Sequence, residues 1–434
     1  MFPEKRKIAF YTVGCKLNFT ESSYIASTLP VDNYIKVNPD ENADIYVINT
    51  CTVTSDADKK CRQAIRKFIK QSPSAIIAVT GCYSQLRADE VASIPGVDLV
   101  LGSREKFDLA CYLDGIYAKG LTCVDSGNIV NDKTFVNSWS SSDRTRTFIK
   151  VQDGCDYRCA YCTLPIARGR SRNASVENIT EEIKQIAVKG IPEIVLTGLN
   201  IGDFGKTTGE TLIKLLQQIE NIEGVRRIRL SSIEPDLLTD EIIELTAGSR
   251  KIMPHFHIPL QSGSNKVLGL MRRRYKTELF ESRVKKIREL IPLAGIGSDV
   301  IVGFPGETDE DFYETFSFLE KMPLTYLHVF PYSDRPGTKA AELPGKVPAK
   351  IKGERRKQLS RLSKKINLDF KKRNINTINE VLFENSVKEK KVSGFTGNYL
   401  KAEYNATEII KGKIKKVRIV GINPSGNLAV ELLN

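Results

Sequence analysis

The stretch that decides the fold of this chain is Gly154-Cys155-Asp156-Tyr157-Arg158-Cys159-Ala160-Tyr161-Cys162. It directly follows a short β-rich run at residues 147–151. Its three thiolates can supply three ligands of a metal centre. A structural zinc ion would need a fourth ligand nearby, yet the next histidine in the chain is His255. The spacing therefore favours an iron–sulfur cluster with one open iron, over a zinc site or a chance grouping.

Around this motif the sequence alternates between strand-like and helix-like segments. Six such units in succession predict a partial (β/α)6 barrel, in which the cysteine loop lies at the carboxyl end of the first strand, the face where active sites of such barrels gather. The predicted strands are 147–151, 193–197, 227–232, 255–260, 296–302 and 326–332. The predicted helices are 175–189, 211–220, 237–246, 276–290 and 309–321.

A second set of cysteines lies in the first hundred residues, which alternate in the same way. Predicted strands at 8–13, 44–49, 75–80 and 99–101, with helices at 20–29, 57–70 and 87–94, indicate an open parallel α/β sheet. Cys15, Cys51 and Cys82 each follow the carboxyl end of a predicted strand. Because those ends border one crevice in a parallel sheet, the three thiols are predicted to converge there.

The remaining three cysteines carry no predicted chemistry. Cys61 shares a helical stripe with Ile65, Phe68 and Ile69, which indicates core packing. Cys111 and Cys123 are predicted to be ordinary buried thiols. An odd total of nine cysteines argues against a disulfide framework.

Positive charge is concentrated at the carboxyl end of the chain. The formal net charge is +13, and residues 350–434 contain 20 Lys or Arg against 8 Asp or Glu. Residues 350–373 predict a basic amphipathic helix. Short runs at 377–383, 390–395, 399–404, 413–420 and 427–432 predict a small OB-like β-barrel, a common nucleic-acid platform. RNA is the natural partner of such a region, although charge alone is equally compatible with a solubilising tail.

Composition and apolar patterning narrow the class of protein further. The hydrophobic content of 41% and charged content of 27% are typical of a globular protein. No apolar run approaches the roughly 18 residues that a membrane span requires. No secretory segment follows Met1, so a cytoplasmic protein that does not bind membranes is predicted.

The cysteine motif on a six-unit α/β barrel resembles the radical S-adenosylmethionine superfamily. With a second three-cysteine set and a basic β-barrel, the whole chain resembles the methylthiotransferase family within it. Three short motifs are most similar to the branch that acts on N6-threonylcarbamoyladenosine beside the anticodon. They are Gly14-Cys-Lys-Leu-Asn18, Gly81-Cys-Tyr-Ser-Gln85 and Ile166-Ala-Arg-Gly-Arg-Ser-Arg172. The isopentenyladenosine branch usually has Gln-Met where this chain has Lys16-Leu17.

The resemblance implies four parts: a methylthiotransferase domain at 1–118, a linker at 119–143, the radical core at 144–373 and an RNA-binding barrel at 374–434. It implies two [4Fe–4S] clusters, held by Cys15, Cys51 and Cys82 and by Cys155, Cys159 and Cys162. It implies two S-adenosylmethionine-dependent steps, methylation of a cluster-bound sulfur and then radical attack at carbon 2 of the adenine. The implied partners are the tRNA anticodon stem-loop, S-adenosylmethionine and a low-potential flavodoxin or ferredoxin-like electron donor.

The resemblance also implies an S-adenosylmethionine pocket at the strand ends of the barrel. Gly198, Gln261, Asp299 and Phe330 are its predicted contacts. The segment from Asp299 departs from the superfamily pattern GxIxGxxE, because Asp299 replaces the first glycine and the acid, Glu307, comes one residue late.

Some nearby residues keep two interpretations. Met271-Arg-Arg-Arg-Tyr275 is either a phosphate or substrate contact or a solvated loop. His255 and His257 share one face of a strand, which favours core or supporting roles over metal ligation. Tyr399 and Tyr404 fit either RNA stacking or the core of the small barrel.

Three competing functions remain at this point. An iron–sulfur electron carrier would usually have four cysteines per cluster. An RNA-binding protein with structural zinc would be colourless. The family branch that modifies an aspartate of a ribosomal protein shares almost every motif. Only the basic tail and the short motifs around Cys15 and Cys82 argue against that function.

Overall fold

The computed structural model describes residues 5–119, 123–140, 145–387, 391–405 and 410–433, without the side chains of 117–119 and 385–387. The chain forms two compact units. The first comprises Met1–Ser142, Phe148–Arg172 and Ser333–Ala341, and the second comprises Asp143–Thr147, Asn173–Tyr332 and Glu342–Asn434. The six predicted cluster cysteines all belong to the first unit.

The amino-terminal region is a six-stranded parallel sheet in the order β2-β1-β3-β4-β5-β6. Strand β3 is buried along its whole length and β4 at every residue but its first, as expected for a parallel sheet covered on both faces. Its strands are β1 Arg6–Thr12, β2 Tyr34–Val37, β3 Ile45–Thr50, β4 Ile76–Gly81, β5 Leu99–Leu101 and β6 Cys123–Asp125. Its helices are α1 Lys16–Thr28, α2 Ser55–Gln71, α3 Cys82–Leu86, α4 Ala88–Ala92 and α5 Leu109–Lys119, with a 3₁₀ turn at Glu105–Asp108.

The central region contains two three-stranded parallel sheets, β7-β8-β9 and β10-β11-β12. Parallel bridges from Ile228 to Ile252 and from Ser232 to His257 continue the strand order from the first sheet to the second. The predicted partial six-unit barrel is therefore confirmed. The strands are β7 Arg146–Lys150, β8 Glu193–Thr197, β9 Arg227–Leu230, β10 His255–His257, β11 Gly295–Val302 and β12 Tyr326–Pro331.

Helices alternate with these strands, as the periodicity of the sequence requires. Most bury one apolar stripe; in α8, for example, Leu212, Leu215, Leu216 and Ile219 are buried. The helices are α6 Leu164–Arg168, α7 Val176–Val188, α8 Leu212–Glu220, α9 Asp240–Gly248, α10 Asn265–Leu270, α11 Thr277–Leu290, α12 Asp309–Lys321 and α13 Lys339–Glu342, with a 3₁₀ turn at Ile201–Asp203.

The carboxyl-terminal region consists of the basic helix α14, Ala349–Arg373, and a closed five-stranded barrel in the order β13-β14-β15-β17-β16. Leu359 and Leu362 of α14 are buried, and Phe370 packs into the core of the small barrel. The predicted OB-like barrel is confirmed. Its strands are β13 Ile378–Val387, β14 Lys391–Thr396, β15 Lys401–Asn405, β16 Ile414–Ile422 and β17 Leu428–Leu432.

Some local predictions were wrong. The short edge strands β2 and β6 were not predicted, because each has fewer than five residues and a weak apolar pattern. Cys111 is exposed and Cys123 half-buried, so neither is the buried thiol that was expected. Cys61, by contrast, is fully buried in the core with Ile65 and Phe68, as predicted.

Candidate iron–sulfur centres and barrel lumen

The first-unit cysteines lie at the carboxyl edge of three neighbouring strands. Cys15 caps the amino terminus of α1 after β1, Cys51 follows β3, and Cys82 begins α3 after β4. β1, β3 and β4 are adjacent and parallel, so the three loops share one edge of the sheet. Gly14 has a φ of +126°, and a Cβ there would lie 2.7 Å from the Cβ of Cys51. This glycine therefore permits the Cys15 and Cys51 loops to approach each other.

The thiols of this set disfavour ionisation of one another. Burial, together with repulsion from Cys82 and Cys15, raises the pKa of Cys51 to about 12. Cys15 is accessible to solvent, but its sulfur lies in a recess crowded by protein atoms, and this desolvation raises its pKa. Thiolates in such a place need a strong positive partner, and a metal centre provides one because it binds the deprotonated form.

Arg168 supplies positive charge directly to this edge. Its Nε donates to the Sγ of Cys82 at 3.2 Å, and the guanidinium is 1% exposed. The other nitrogens donate to Glu21 at 2.5 Å and to the Oδ1 of Asn18 at 2.6 Å. Burial opposes its charge, but Cys82 and Glu21 outweigh burial and raise the pKa of Arg168. Arg168 is therefore a permanent buried cation beside a cysteine sulfur.

The ion network around Arg168 contains more positive than negative charge. Its cations are Arg168, Lys106, Lys150 and Arg172, and its carboxylates are Glu21 and Asp153. All six side chains are at most 7% exposed. Buried charges need counter-charges, and the Cys82 sulfur lies against the guanidinium at the centre of the network. The network therefore fits an anionic metal–thiolate centre at this edge.

The second set of cysteines lies in a loop held tightly to the rest of the first unit. Gly154 has a φ of +69°, and a Cβ there would meet the carbonyl oxygen of Arg170 at 1.8 Å. Its amide donates to the Asp153 carboxylate at 2.8 Å, and its carbonyl accepts from Gln152 at 2.7 Å. The amide of Cys155 donates to the Gly169 carbonyl. Cys155, Cys159 and Cys162 are half-buried, as ligands of an accessible cluster should be.

The structure connects the two sets through a short helix. α6 begins two residues after Cys162 and ends at Arg168, the residue that donates to Cys82. The Ser103 hydroxyl anchors the same helix by donating to the Ala167 carbonyl at 2.8 Å. Both sets belong to one compact unit.

The spacing of the sulfur atoms bears on the choice of metal. Within the described residues, only His257, Asp299 and His328 bring three candidate ligand atoms within 4.8 Å of one another. Neither set of three cysteines does so, whereas thiolates on one zinc ion lie roughly 3.8 Å apart. Neither set therefore has the compact arrangement of a preformed single-zinc site.

The predicted S-adenosylmethionine contacts lie in the second unit. Gly198 directly follows β8, and Gln261 lies beyond β10 with a φ of +71°. The Gln261 amide donates to the Asp299 carbonyl at 2.8 Å, which places these two residues together. Phe330 is 43% exposed on β12. Their contacts with a cofactor remain predictions.

Asp299 is the centre of a group in the barrel lumen. Its Oδ1 lies 3.1 Å from Nε2 of His257 and 3.3 Å from Nδ1 of His328. Tyr326 contacts His257 as well as a third histidine, His255. Its hydroxyl lies 2.9 Å from Nε2 of His255 and 3.4 Å from Nδ1 of His257. Burial would raise the pKa of Asp299, but the hydrogen bonds from His257 and His328 hold it well below its ordinary value.

The basic run Met271–Tyr275 is attached to the barrel. Arg273 forms an ion pair with Glu234, and the Tyr275 hydroxyl donates to the Pro259 carbonyl at 2.6 Å. Arg272 and Arg274 are exposed. The run was predicted to be either a phosphate or substrate contact or a solvated loop. Arg273 fits neither prediction, because its side chain is a buried partner of Glu234.

Comparisons with known proteins address the family. The model of the radical SAM superfamily matches residues 149–319, and that of the uncharacterized protein family UPF0004 matches 7–102. The threonylcarbamoyladenosine tRNA methylthiotransferase MtaB of Bacillus subtilis is 40% identical, over 95% of this chain and 93% of its own. The chain belongs to the radical SAM methylthiotransferase family. This family uses [4Fe–4S] clusters and S-adenosylmethionine and transfers sulfur-containing groups.

Other relatives define the branches of the family around this chain. MtaB of Thermotoga maritima is 38% identical, covering 97% of this chain and 96% of its own. The tRNA-2-methylthio-N(6)-dimethylallyladenosine synthase of Carboxydothermus hydrogenoformans is 34% identical, covering 94% and 95%. Among solved structures, the radical S-adenosylmethionine methyltransferase TsrM of Kitasatospora setae has a TM-score of 0.56 at 15% identity, covering 78% of this chain and 77% of its own. That likeness concerns the fold alone.

Sequence reasoning did not single out Arg168, which contacts Cys82, or His328, which contacts Asp299. Arg168 lies in the motif Ile166–Arg172, which indicated the family resemblance. Its partner Glu21 is 147 positions away in the sequence, so no local pattern connects the two residues. His328 lies in a strand whose alternating aromatic residues indicate packing. In the described parts of the chain, no helix is both long and apolar enough to span a bilayer.

Proposed function

We propose that this methylthiotransferase converts N6-threonylcarbamoyladenosine, next to the anticodon of tRNA, to its 2-methylthio derivative. The observation that carries the proposal is the pair of three-cysteine sets in one compact unit, joined through Arg168. Relatives of 38% to 41% identity that bear the corresponding name support this substrate. The isopentenyl-type substrate of the 34% relative is the second candidate.

Each cysteine set has its own role in this proposal. Cys155, Cys159 and Cys162 would hold the cluster that binds S-adenosylmethionine, and Cys15, Cys51 and Cys82 would hold the auxiliary cluster. When bound, these groups supply reductive cleavage of the sulfonium and a nucleophilic sulfur. Arg168 donates a hydrogen bond to the Cys82 sulfur and orients it, while the rigid Gly154 turn holds the other loop in place.

The barrel residues would position S-adenosylmethionine. Gly198, Gln261, Asp299 and Phe330 are the proposed contacts. His257 and His328 both contact Oδ1 of Asp299. The carboxylate has further acceptor positions, so it can also accept hydrogen bonds from the ribose hydroxyls. Phe330 exposes its ring on the same strand end.

The carboxyl-terminal barrel would bind the RNA. Lys391, Lys401, Lys411, Lys416 and Arg418 are exposed on it, and exposed cations of this kind attract a phosphate backbone. Tyr399 is not available for stacking on a base, because it packs against Phe395 and His255. We further propose a cytoplasmic location and a flavodoxin or ferredoxin-like electron donor.

The first test is iron and acid-labile sulfide per chain after anaerobic reconstitution. We expect roughly eight irons in the wild type and about four in the Cys15/Cys51/Cys82→Ala variant. Cys61→Ala is the matched control, since its buried thiol belongs to the core and should leave the count unchanged. A wild-type count of about four would contradict the auxiliary cluster.

The second test assigns the substrate. Anticodon stem-loop RNAs that carry threonylcarbamoyladenosine, isopentenyladenosine or plain adenosine are incubated with the holoenzyme, S-adenosylmethionine and a reductant. Mass spectrometry of the nucleosides should find the methylthio product from the first RNA alone. Product from the isopentenyl RNA alone would assign the chain to the other branch.

A further inference from the structure

On three neighbouring strands, the lumen-facing side carries two histidines, His257 and His328, to which the proposed reaction assigns no role, next to the proposed cofactor contact Asp299. In the parallel register, Asp299 of β11 stands opposite His328 of β12, and Gly297 of β11 stands opposite both His257 of β10 and Tyr326 of β12. Gly297 leaves room for Tyr326, whose ring occupies the place of a Cβ there, at 2.1 Å. The histidines and Asp299 therefore converge because of the register of the sheet.

The distances within this group are those of hydrogen bonds to an ionised carboxylate. Asp299 Oδ1 is 3.1 Å from His257 Nε2 and 3.3 Å from His328 Nδ1. An ionised carboxylate only accepts, so both of these ring nitrogens carry protons toward it. Asp299 thereby fixes the orientation of His328 and is a positioning residue.

His328 presents its other nitrogen away from Asp299. The two nitrogens of an imidazole lie on different edges of the ring, so contact through Nδ1 turns Nε2 outward. The His328 side chain is 55% exposed, whereas that of His257 is only 12% exposed. On the same face of β12, Phe330 meets His328 edge-to-face, with ring centroids 6.4 Å apart. An imidazole edge beside an exposed aromatic ring is suited to a ligand with both a flat ring and an anionic group.

We propose that His328, oriented by Asp299, binds the carboxylate of the threonylcarbamoyl group on the substrate adenosine and selects for it. This inference rests on the proposed substrate. Among the candidate substrates, threonylcarbamoyladenosine carries a carboxylate on its N6 substituent, whereas the isopentenyl group is apolar. Nε2 of His328, when protonated, donates a charge-assisted hydrogen bond to that carboxylate.

A divalent cation is the other ligand that this geometry could hold, because two histidines and one carboxylate are common metal ligands. The hydrogen-bonded arrangement argues against it. Asp299 already receives proton-bearing nitrogens from His257 and His328, and a cation would have to displace both protons. The cation is therefore an outcome that the experiment must exclude.

The test compares His328→Ala with the wild-type holoenzyme on two stem-loop RNAs. One RNA carries threonylcarbamoyladenosine. In the other, 1-amino-2-propanol replaces the threonine, which keeps the urea and hydroxyl but removes the carboxylate. We expect His328→Ala to raise KM for the first RNA about tenfold to a hundredfold, with little change in kcat, and to leave the second RNA almost unaffected.

His255→Asn is the matched control, because this histidine lies in the same lumen but contacts Tyr326 and Tyr399. It should affect both RNAs to the same extent. The iron content and the thermal unfolding midpoint of His328→Ala should match those of the wild type, which would show intact clusters and folding.

Results of two kinds, from kinetics and from metal binding, would overturn the inference alone. One is equal loss of activity on both RNAs in His328→Ala, or equal kcat/KM for both RNAs in the wild type. The other is tight binding of Mn²⁺ by the oxidised holoenzyme, seen as loss of the free-ion electron paramagnetic resonance signal and abolished by His328→Ala. A wild-type enzyme that cleaves S-adenosylmethionine but never modifies the threonylcarbamoyl RNA would overturn the proposed function as well.

Discussion

Two buried ion networks, one in each compact unit, have similar components but different counter-charges. In the first unit, Arg168 is shared between Glu21 and the sulfur of Cys82. In the second unit, Arg229 is shared between Glu193, at 3.0 Å, and the carbonyl oxygen of Gly397, at 3.0 Å. Both arginines are fully buried.

The cations of the second network have carboxylate partners within the polypeptide. Arg146 pairs with Glu193 and Glu384, and Arg227 donates to the Phe395 carbonyl. These contacts attach the small barrel to the lumen of the larger one, and we assign them a structural role. The Arg168 network differs because a cysteine sulfur is among its partners and because its four cations outnumber its two carboxylates. We therefore expect this network, and not the Arg229 network, to affect the iron content.

The largest expected effect comes from Arg168→Met. Removal of this guanidinium leaves the Glu21 carboxylate with fewer buried cations, which should cost about 3–5 kcal/mol in the free energy of unfolding. It also removes the hydrogen bond to Cys82. We therefore expect the reconstituted iron content to fall from roughly eight toward about four per chain. Denaturant unfolding and iron analysis measure the two effects.

Arg229→Met is the control for that variant. It removes an equally buried guanidinium from Glu193, and so should cause a comparable loss of stability. Its iron content should remain that of the wild type. If both variants lose iron to the same extent, the counter-charge does not separate the two networks.

The second largest effect on stability concerns the backbone beside the loop that carries Cys155, Cys159 and Cys162. Gly154→Ala should cost on the order of 3 kcal/mol, because a positive φ is strained for alanine and the methyl group would collide with the Arg170 carbonyl. Gly209 has a φ of +75°, but a Cβ there would meet no atom of the described residues within 4 Å. Gly209→Ala should therefore cost only about 1–2 kcal/mol, from backbone strain alone.

Thermal unfolding of the two glycine variants measures this difference. Gly154→Ala should also release iron faster when exposed to a chelator, because it displaces the loop of Cys155. Equal stability of the two variants would mean that the turn at Gly154 can relax without cost.

The positions of the six cysteines in the fold could be predicted from the sequence because the pattern around each of them is local. Cys155, Cys159 and Cys162 are adjacent in the chain, and Cys15, Cys51 and Cys82 each follow a strand whose pattern is strong. The six-unit barrel and the small barrel were predicted for the same reason, since each strand has its own apolar pattern.

The residues that complete the sites could not be predicted, because their partners are distant in the sequence. Glu21 lies inside a helix and would ordinarily be read as a solvated carboxylate, yet it is fully buried with Lys106 and Arg168. His328 contacts Asp299 only because β11 and β12 pair in one particular register. No local pattern specifies such a register.

The third effect is a dependence of stability on pH. Although burial opposes ionisation, Arg168, Lys106 and Lys150 lower the pKa of Glu21 to about 2, from an ordinary value of 4.5. Its ionised form therefore stabilises the fold fully above about pH 4.5, and this stabilisation is lost as the pH falls toward 2. The amount is on the order of 3 kcal/mol.

Glu21→Gln provides the measurement, because glutamine does not titrate. The stability difference between wild type and this variant should shrink as the pH is lowered from 4.5 to 2. A difference that stays constant over this range would show that the pKa of Glu21 is not depressed by its neighbours. The matching carboxylate of the second unit, Glu193, also has a lowered pKa, caused by Arg229 and its neighbours against the effect of burial. Glu193→Gln should therefore behave in the same way.

The smallest expected effect on stability is the loss of a helix cap, and it should have the same size in both units. Thr54 caps α2 by accepting from the Ala57 amide at 3.2 Å, and Thr211 caps α8 by accepting from the Lys214 amide at 3.3 Å. Replacing either threonine by alanine should cost about 1 kcal/mol, because one helix-terminal amide loses its partner. Neither change alters the charge near a cysteine, so iron content should stay constant in both. A loss of iron in Thr54→Ala alone would mean that the position of Cys51, three residues earlier, depends on where α2 begins, and that local backbone order contributes to this centre alongside charge.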